Sequence, residues 1–264
     1  MVRFRYAFAA RSPYGLFLLL LIALAASAQA DWKILSVESE PARAAIEHRH
    51  VIVQQAEVDQ RVAVDVSVFS VKSTGLRIID NPDGQSLGTV MKREKCVCGV
   101  NGGYFDTEFK PIGLRVDEAA SFSLLRRARL MTGILLESNR RIDVIRVSQF
   151  SSTKKIVAAL QAGPFLVEGS KPIHGLNDSQ QARRTFAATA ANDRGVLGVC
   201  SNVSLAELAN ILATVPVVGN SKIRRAMNLD GGSSSAFWFA RENGSVFSIS
   251  GQKPVRDFVG VVAR

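Results

Sequence analysis

Histidine, cysteine and tryptophan are scarce in this sequence: three, three and two among 264 residues. So few cysteines exclude a small scaffold stapled by disulfides. They also form no second cluster with the spacing of a zinc site. No Gly-x-Gly-x-x-Gly opens a strand–helix unit, and there is no Walker loop and no His-Glu-x-x-His. Gly232-Ser233-Ser234-Ser235-Ala236 lacks the closing glycine of a nucleophile elbow, so a Ser-His-Asp hydrolase has no support. His48 and His50 are one residue apart and could ligate a metal, but no third ligand is in view. Neither a metal nor a cofactor is expected. Beyond residue 30 no apolar run approaches the ~20 residues of a membrane-crossing helix. No repeat, low-complexity tract or Pro/Gly/Ser-rich linker divides the chain there.

The first 30 residues read differently. Arg3, Arg5 and Arg11 precede the apolar run Leu16–Ala26, and Ala28-Gln29-Ala30 follows it, with no acidic residue in the segment. A charged start, a short apolar stretch and small residues at the end describe a secretory signal peptide. Cleavage is expected after Ala30, leaving a single domain over 31–264 that is periplasmic or secreted and has no stable membrane insertion. Losing three arginines and no acid lowers the net charge from +10 to +7. The basic residues fall in scattered pairs such as Lys92-Arg93, Arg126-Arg127 and Arg183-Arg184. Export argues against a nucleic-acid partner, while a modest positive field favours phosphate-bearing glycans of the envelope. In an oxidising compartment one disulfide is allowed. Bonding across a single residue is strained, so Cys200 would pair with Cys96 or Cys98 unless all three stay buried and reduced.

The patterning favours hairpins. Residues 62–70 alternate apolar and polar at period two, as a half-buried strand does. Residues 76–79 form a second strand, ended by Asn81-Pro82-Asp83-Gly84. Strands at 130–137 and 141–147 flank Ser138-Asn139-Arg140, and strands at 185–190 and 196–200 flank Asn192-Asp193-Arg194-Gly195. Ser204-Leu205-Ala206-Glu207 is a capping box opening an amphipathic helix to about Ala213. A shorter helix is expected near 87–95. The predicted class is α+β, a mostly antiparallel or mixed β-sheet core with a few flanking helices.

Four segments carry possible chemistry. Asn101-Gly102-Gly103-Tyr104-Phe105-Asp106 either frees the backbone for close approach by a ligand, with Asn101 and Tyr104 as polar contacts, or is a tight turn. Gly163-Pro164 fixes a turn before a strand that ends at Glu168, a candidate acid or base. Arg183-Arg184-Thr185, leading into a strand, suits a phosphate or carboxylate, a guanidinium beside the hydroxyl supplying charge and a bidentate fork, or is a surface Arg pair at a strand start. The most informative is Asn228–Ser235. Here Asp230 precedes Gly231, Gly232, Ser233 and Ser234, whose N–H and hydroxyl groups are weakly shielded. Such a loop can hold an anion while the carboxylate transfers a proton or attacks. It can equally be an Asp-Gly turn between strands.

Together and in order, these stretches resemble the phosphodiester glycosidase domain family. Lys110–Leu114 and the tail Lys253–Val261 add to the likeness, which runs from about residue 60 to the C-terminus. The family includes the lysosomal enzyme that uncovers mannose 6-phosphate by removing N-acetylglucosamine, and many bacterial proteins. Two departures stand out: Ser233 shortens the glycine run after the Asp, and Ala188 or Thr189 stands where the family often has Gly. The resemblance implies hydrolysis of a sugar-1-phosphodiester at the anomeric carbon. On that reading Asp230 is the catalytic carboxylate. Arg184 and the donors of Gly231, Gly232, Ser233 and Ser234 stabilise the phosphate, helped by Thr185. Asn101 and Tyr104, with Gly102 and Gly103, hold the sugar. Glu168 and Asp106 compete for the role of second carboxylate. The alternatives are a non-catalytic glycan-binding module using the same cleft and a metal-dependent enzyme cleaving the P–O bond.

Overall fold

The computed structural model describes residues 31–151 and 155–264, so the expected signal peptide lies outside the described residues. In chain order the first strands are β1 (Trp32–Pro41), β2 (Glu47–Gln55), β3 (Gln60–Ser70) and β4 (Thr74–Asp80). Helix α1 (Leu87–Arg93) leads to β5 (Cys98–Asn101), β6 (Arg115–Asp117), β7 (Ala120–Ser123), β8 (Gly133–Ser138) and β9 (Arg141–Arg146). Next come β10 (Ile156–Ala162), β11 (Phe165–Glu168), β12 (Lys171–Pro172), β13 (Ala182–Ala190) and β14 (Arg194–Val203). Helix α2 (Leu205–Thr214) precedes β15 (Ile223–Asn228), β16 (Phe237–Ala240), β17 (Val246–Ile249) and β18 (Asp257–Ala263).

Three sheets result, with strand orders β1-β2-β3-β14-β13-β15-β11-β12, β7-β6-β10-β8-β9 and β17-β16-β5-β18-β4. Every pairing among the described residues is antiparallel. The α+β expectation thus holds in its antiparallel form, with a small helical share. The turn residues explain the hairpins. Asn139 and Arg140 between β8 and β9, and Asn192 and Asp193 between β13 and β14, all take positive φ. Asn and Asp tolerate that region better than most side chains. Ser204 and Glu207 close the capping box of α2, and Ser86 caps α1.

Alternation along the strands sorts side chains between two cores. In β13, Ala187 joins the cluster shared by all three sheets, with Val100, Leu135, Val259 and Met227. Phe186 and Ala188 instead face the far side, where α2 packs through Leu208, Ile211 and Leu212. The cysteines separate in the same way. Cys98 lies in the shared core, Cys200 on the α2 side and Cys96 in a third cluster under α1. All three are free and buried, so the disulfide alternative gives way to the reduced one. Burial pushes the Cys96 and Cys98 thiols up to about 12.

One polar contact holds the shared core at its centre. Arg115 and Asp257 have fully buried side chains and meet at 2.8 Å, Nε to Oδ2. Arg115 Nη1 also donates to the carbonyls of Leu114 and Gln161, both at 3.0 Å, and Nη2 to Tyr104 O at 3.3 Å. Asp257 Oδ1 accepts from Gly103 N at 2.7 Å. A Cβ on Gly102 would collide with this carboxylate, and one on Gly103 with the guanidinium. Removing one partner leaves an uncompensated buried charge. Arg115→Met or Asp257→Asn is therefore expected to cost about 3–5 kcal/mol in urea unfolding. A loss under 1 kcal/mol, a surface-like value, would reject the central role. The native protein is expected to react with none of its three thiols towards a disulfide reagent, and with all three once unfolded.

Candidate active site

The loop after β15 lies against the ends of β5 and β13, and one buried side chain ties them together. Asn101 Nδ2 donates to Asp230 O at 2.7 Å, while its Oδ1 accepts from Thr185 Oγ1 at 2.7 Å and Ala236 N at 3.0 Å. Asp230 N donates to Gly102 O at 3.1 Å, and Leu229 N to Thr185 O at 2.8 Å. Two segments far apart in sequence, 101–102 and 185, thus fix the backbone at 229–230. Tyr104 adds a second clamp. Its hydroxyl donates to Gly163 O at 2.5 Å and accepts from Asn228 Nδ2 at 3.2 Å. Burial pushes the Tyr104 phenol up to about 12.

The Asp230 carboxylate is half-buried and accepts from Gly231 N at 3.0 Å. Burial raises its pKa above the ordinary aspartate value. The Ser234 hydroxyl, the Lys253 ammonium and the Gly231 N–H pull it partway back, and Asp257 pushes it up slightly. Gly232 takes positive φ, and a side chain there would meet open space. Six buried side-chain polar atoms among the described residues lack a hydrogen-bond partner. Four of these are Arg183 Nη2, Asn228 Oδ1, Ser234 Oγ and Ser235 Oγ. Ser234 Oγ lies near enough to Asp230 to favour its anion without closing a hydrogen bond. Unsatisfied buried polar groups are uncommon, and their concentration beside one loop marks a place suited to a polar ligand.

The structure brings Asn101, Thr185, Tyr104, Asp230 and the Gly231–Ser234 turn together, but not in the roles expected of all of them. Asn101 is fully buried and has its amide engaged by the protein, so it positions Asp230 and does not face a sugar. Gly102 and Gly103 are buried and serve the Arg115–Asp257 pair. Arg184 borders the site without gripping it. It leaves β13 on the opposite face from Thr185, and its Nε and Nη2 donate to Val203 O at 3.0 Å and Gln180 O at 2.5 Å. No carboxylate pairs with it among the described residues, and burial lowers its pKa. A Cβ on Gly231 would lie 3.8 Å from Arg184 Cδ, so the stem of this arginine packs beside the turn.

Glu168 stands apart, at the far end of β11. It is ion-paired with Arg146 at 2.6 Å, which holds its carboxyl below the usual range. Asp106 is exposed and caps its own loop through Glu108 N and Lys110 N, both at 2.9 Å. Neither joins Asp230. His48 and His50 both turn onto Asp65, at 3.0 and 2.9 Å, and no group of three or more His, Cys, Asp or Glu side chains with metal-holding geometry occurs among the described residues.

Three residues outside the expected site set also border it: Arg183 from the Arg183-Arg184-Thr185 segment, Asn228 from the loop that holds Asp230, and Lys253 from the tail. Lys253 follows Gln252, whose N–H donates to Ser233 O at 2.7 Å, and its Nζ stands 5.0 Å from the Phe105 ring centroid. Arg183 Nη1 reaches Ser250 O at 3.3 Å on the same loop. The signal available in the sequence was the tail motif that contains Lys253. Beyond Ser234 and Lys253 opens a cavity of about 490 Å³, walled by α1, Trp238 and the 250–254 loop, with two lysines and no acidic residue in its lining.

Residues 94–262 match the family model described as phosphodiester glycosidase. No curated protein sequence matches at a significant level. Among solved structures, a hypothetical protein from Synechocystis is similar with a TM-score of 0.62 and 14% identity over 87% of this chain. The match spans 64% of that protein's length. The catalytic domain of zebrafish N-acetylglucosamine-1-phosphodiester alpha-N-acetylglucosaminidase, auto-inhibited by its pro-peptide, is similar with a TM-score of 0.60 and 13% identity. That match covers 91% of this chain and 85% of the zebrafish domain. At such identities the likeness speaks for the fold.

A direct test of the site's electrostatics is a carbon-13 titration of Asp230. Its carboxyl is expected to titrate above the ordinary aspartate value, and Lys253→Met is expected to raise it further by removing a nearby cation. A downward or absent change in the variant would place Lys253 elsewhere.

Proposed function

The chain belongs to the phosphodiester glycosidase family, and from that premise we propose that it hydrolyses sugar-1-phosphodiesters in envelope or extracellular glycans at the bond between anomeric carbon and phosphate oxygen. The observation that carries this reading is the Asn101 clamp. It fixes Asp230 beside a Gly-Gly-Ser turn, within the field of Lys253 and near buried polar atoms without protein partners.

In the proposed reaction Asp230 works on the anomeric carbon, as nucleophile or as base for water. Burial raises its pKa above the ordinary aspartate value, and Lys253 and the Gly231 N–H oppose that rise by favouring the carboxylate. The phosphate departs as an anion and needs charge stabilisation more than a proton. Lys253 and the donors of Gly232 and Ser233 supply that, with Arg183 at the edge. Arg184, which has no carboxylate partner among the described residues, contributes through its field from beside the turn. Asn101 and Thr185 are positioning residues. Periplasmic or secreted localisation belongs to the same proposal and rests on the first 30 residues.

A second reading is a glycan-binding module without turnover. The observation in its favour is that both expected partners of Asp230, Glu168 and Asp106, are engaged elsewhere. Incubation with a sugar-1-phosphodiester separates the two. Release of free sugar supports the enzyme, and saturable binding without release supports the module. Asp230→Asn is expected to abolish release. It should not lower stability at neutral pH: the folded-state pKa is raised, so ionising Asp230 costs stability as pH rises through that value. Glu168→Gln is expected to leave release unchanged. Full activity in Asp230→Asn would remove this residue from the reaction.

A further inference from the structure

Between β7 and β8 the chain runs Leu124-Leu125-Arg126-Arg127-Ala128-Arg129-Leu130, and every residue of the stretch is exposed. Leu124, Leu125 and Leu130 are 79%, 39% and 58% exposed. Single exposed leucines are ordinary. Here, however, three of the seven exposed large hydrophobics among the described residues fall within seven positions. Interleaved with them are three arginines, none of which has a carboxylate within ion-pair distance among the described residues. A cavity of about 780 Å³ beside the loop is lined by these arginines and Arg146, with no acidic residue in the lining. Arg146 is itself paired with Glu168 at 2.6 Å.

The loop is held in place. The fully buried Gln161 side chain accepts from Arg126 N at 3.0 Å and donates to Arg126 O at 2.5 Å and Met131 O at 3.1 Å. A Cβ on Gly163 would collide with Leu130 O, so the loop also leans on the residue whose carbonyl anchors Tyr104. The apolar and cationic groups are therefore displayed together from a fixed base, next to the segment that borders the candidate site.

We propose that this loop docks the protein reversibly on an anionic membrane surface. The leucines enter the boundary between headgroups and acyl chains, and Arg126, Arg127 and Arg129 contact lipid phosphates. A soluble polyanion would engage the arginines but gain nothing from the leucines. A neutral apolar partner would bury the leucines but leave three cations unpaired. Negative charge above hydrocarbon satisfies both. This is attachment to a surface and not a span, since no helix among the described residues is long and apolar enough to cross a membrane. The inference does not depend on the proposed reaction.

The test is co-sedimentation with vesicles of phosphatidylcholine, with and without phosphatidylglycerol, comparing the protein with L124S/L125S/L130S and with R126Q/R127Q/R129Q. Residues 1–30 are common to all three and cancel in the comparison. The wild type is expected to partition onto phosphatidylglycerol vesicles, and each triple variant to lose about tenfold in partitioning. Circular dichroism is expected to be unchanged because all six side chains are exposed. Added salt is expected to weaken the wild type more than the arginine variant. Equal partitioning of wild type and both variants overturns the proposal. So does binding to soluble polyphosphate that survives in the leucine variant while vesicle binding is absent, an outcome that assigns the loop to a polyanion.

Discussion

An ion pair with both side chains withdrawn from water is costly unless nearly every polar atom is satisfied, and Arg115 with Asp257 meets that condition. The guanidinium reaches the carboxylate and the carbonyls of Tyr104, Leu114 and Gln161, while the second carboxylate oxygen takes the Gly103 N–H. The pair therefore sets the path of three segments at once. Residues 101–104 must pass over it without side chains at two positions, which is what Gly102 and Gly103 provide. Their place in the sequence suggested room for a ligand. Their actual neighbour is an internal salt bridge, and the same absence of Cβ serves it.

From this fixed base the site is built by amide and hydroxyl clamps. Asn101, at the end of β5, cannot turn towards solvent because β13 and the 228–236 loop both use its side chain. Tyr104 is held by Gly163 and Asn228. These bonds fix the Asp230 backbone and leave its carboxylate half-buried, with Lys253 nearby. A positioned carboxylate in a partly dry, cation-bordered place is the kind of group whose pKa departs from its usual value, and burial is the leading cause here.

Local signals in the sequence were sufficient for local structure. Asn139-Arg140 and Asn192-Asp193 turn the two hairpins, and Ser204 with Glu207 starts α2, because each needs only residues within a few positions. The glycine-flanked Asn101 and Asp230 were legible as unusual, and they do meet. What was hidden depends on strand pairing or on separation. Asp257 is 142 residues from Arg115, and neither lies in a pattern that betrays a buried ion. A register shift between Ala182 and Arg184 in the β13–β14 ladder helps settle which of two adjacent arginines leans towards the Ser250 loop, and it is Arg183. Glu168 looked available because its partner Arg146 belongs to a different hairpin. The three cysteines sit in separate packing clusters, a fact that spacing along the chain does not encode.

Among the described residues no uncommitted second carboxylate stands beside Asp230, and on the proposed reading this bears on the substrate. A glycosidase acting on an ordinary ether linkage needs an acid to protonate the departing oxygen. Asp257 is locked to Arg115, and the two acids away from the site are held elsewhere, Glu168 by Arg146 and Asp106 by its own loop. A leaving group that departs as a stable anion makes the acid dispensable and turns the demand towards positive charge and N–H donors. Lys253, the Gly231–Ser234 turn and Arg184, which no carboxylate pairs among the described residues, are of that kind. On the proposed reading, selectivity for phosphodiesters over simple glycosides follows from this imbalance: the site can hold a departing anion far better than it can deliver a proton.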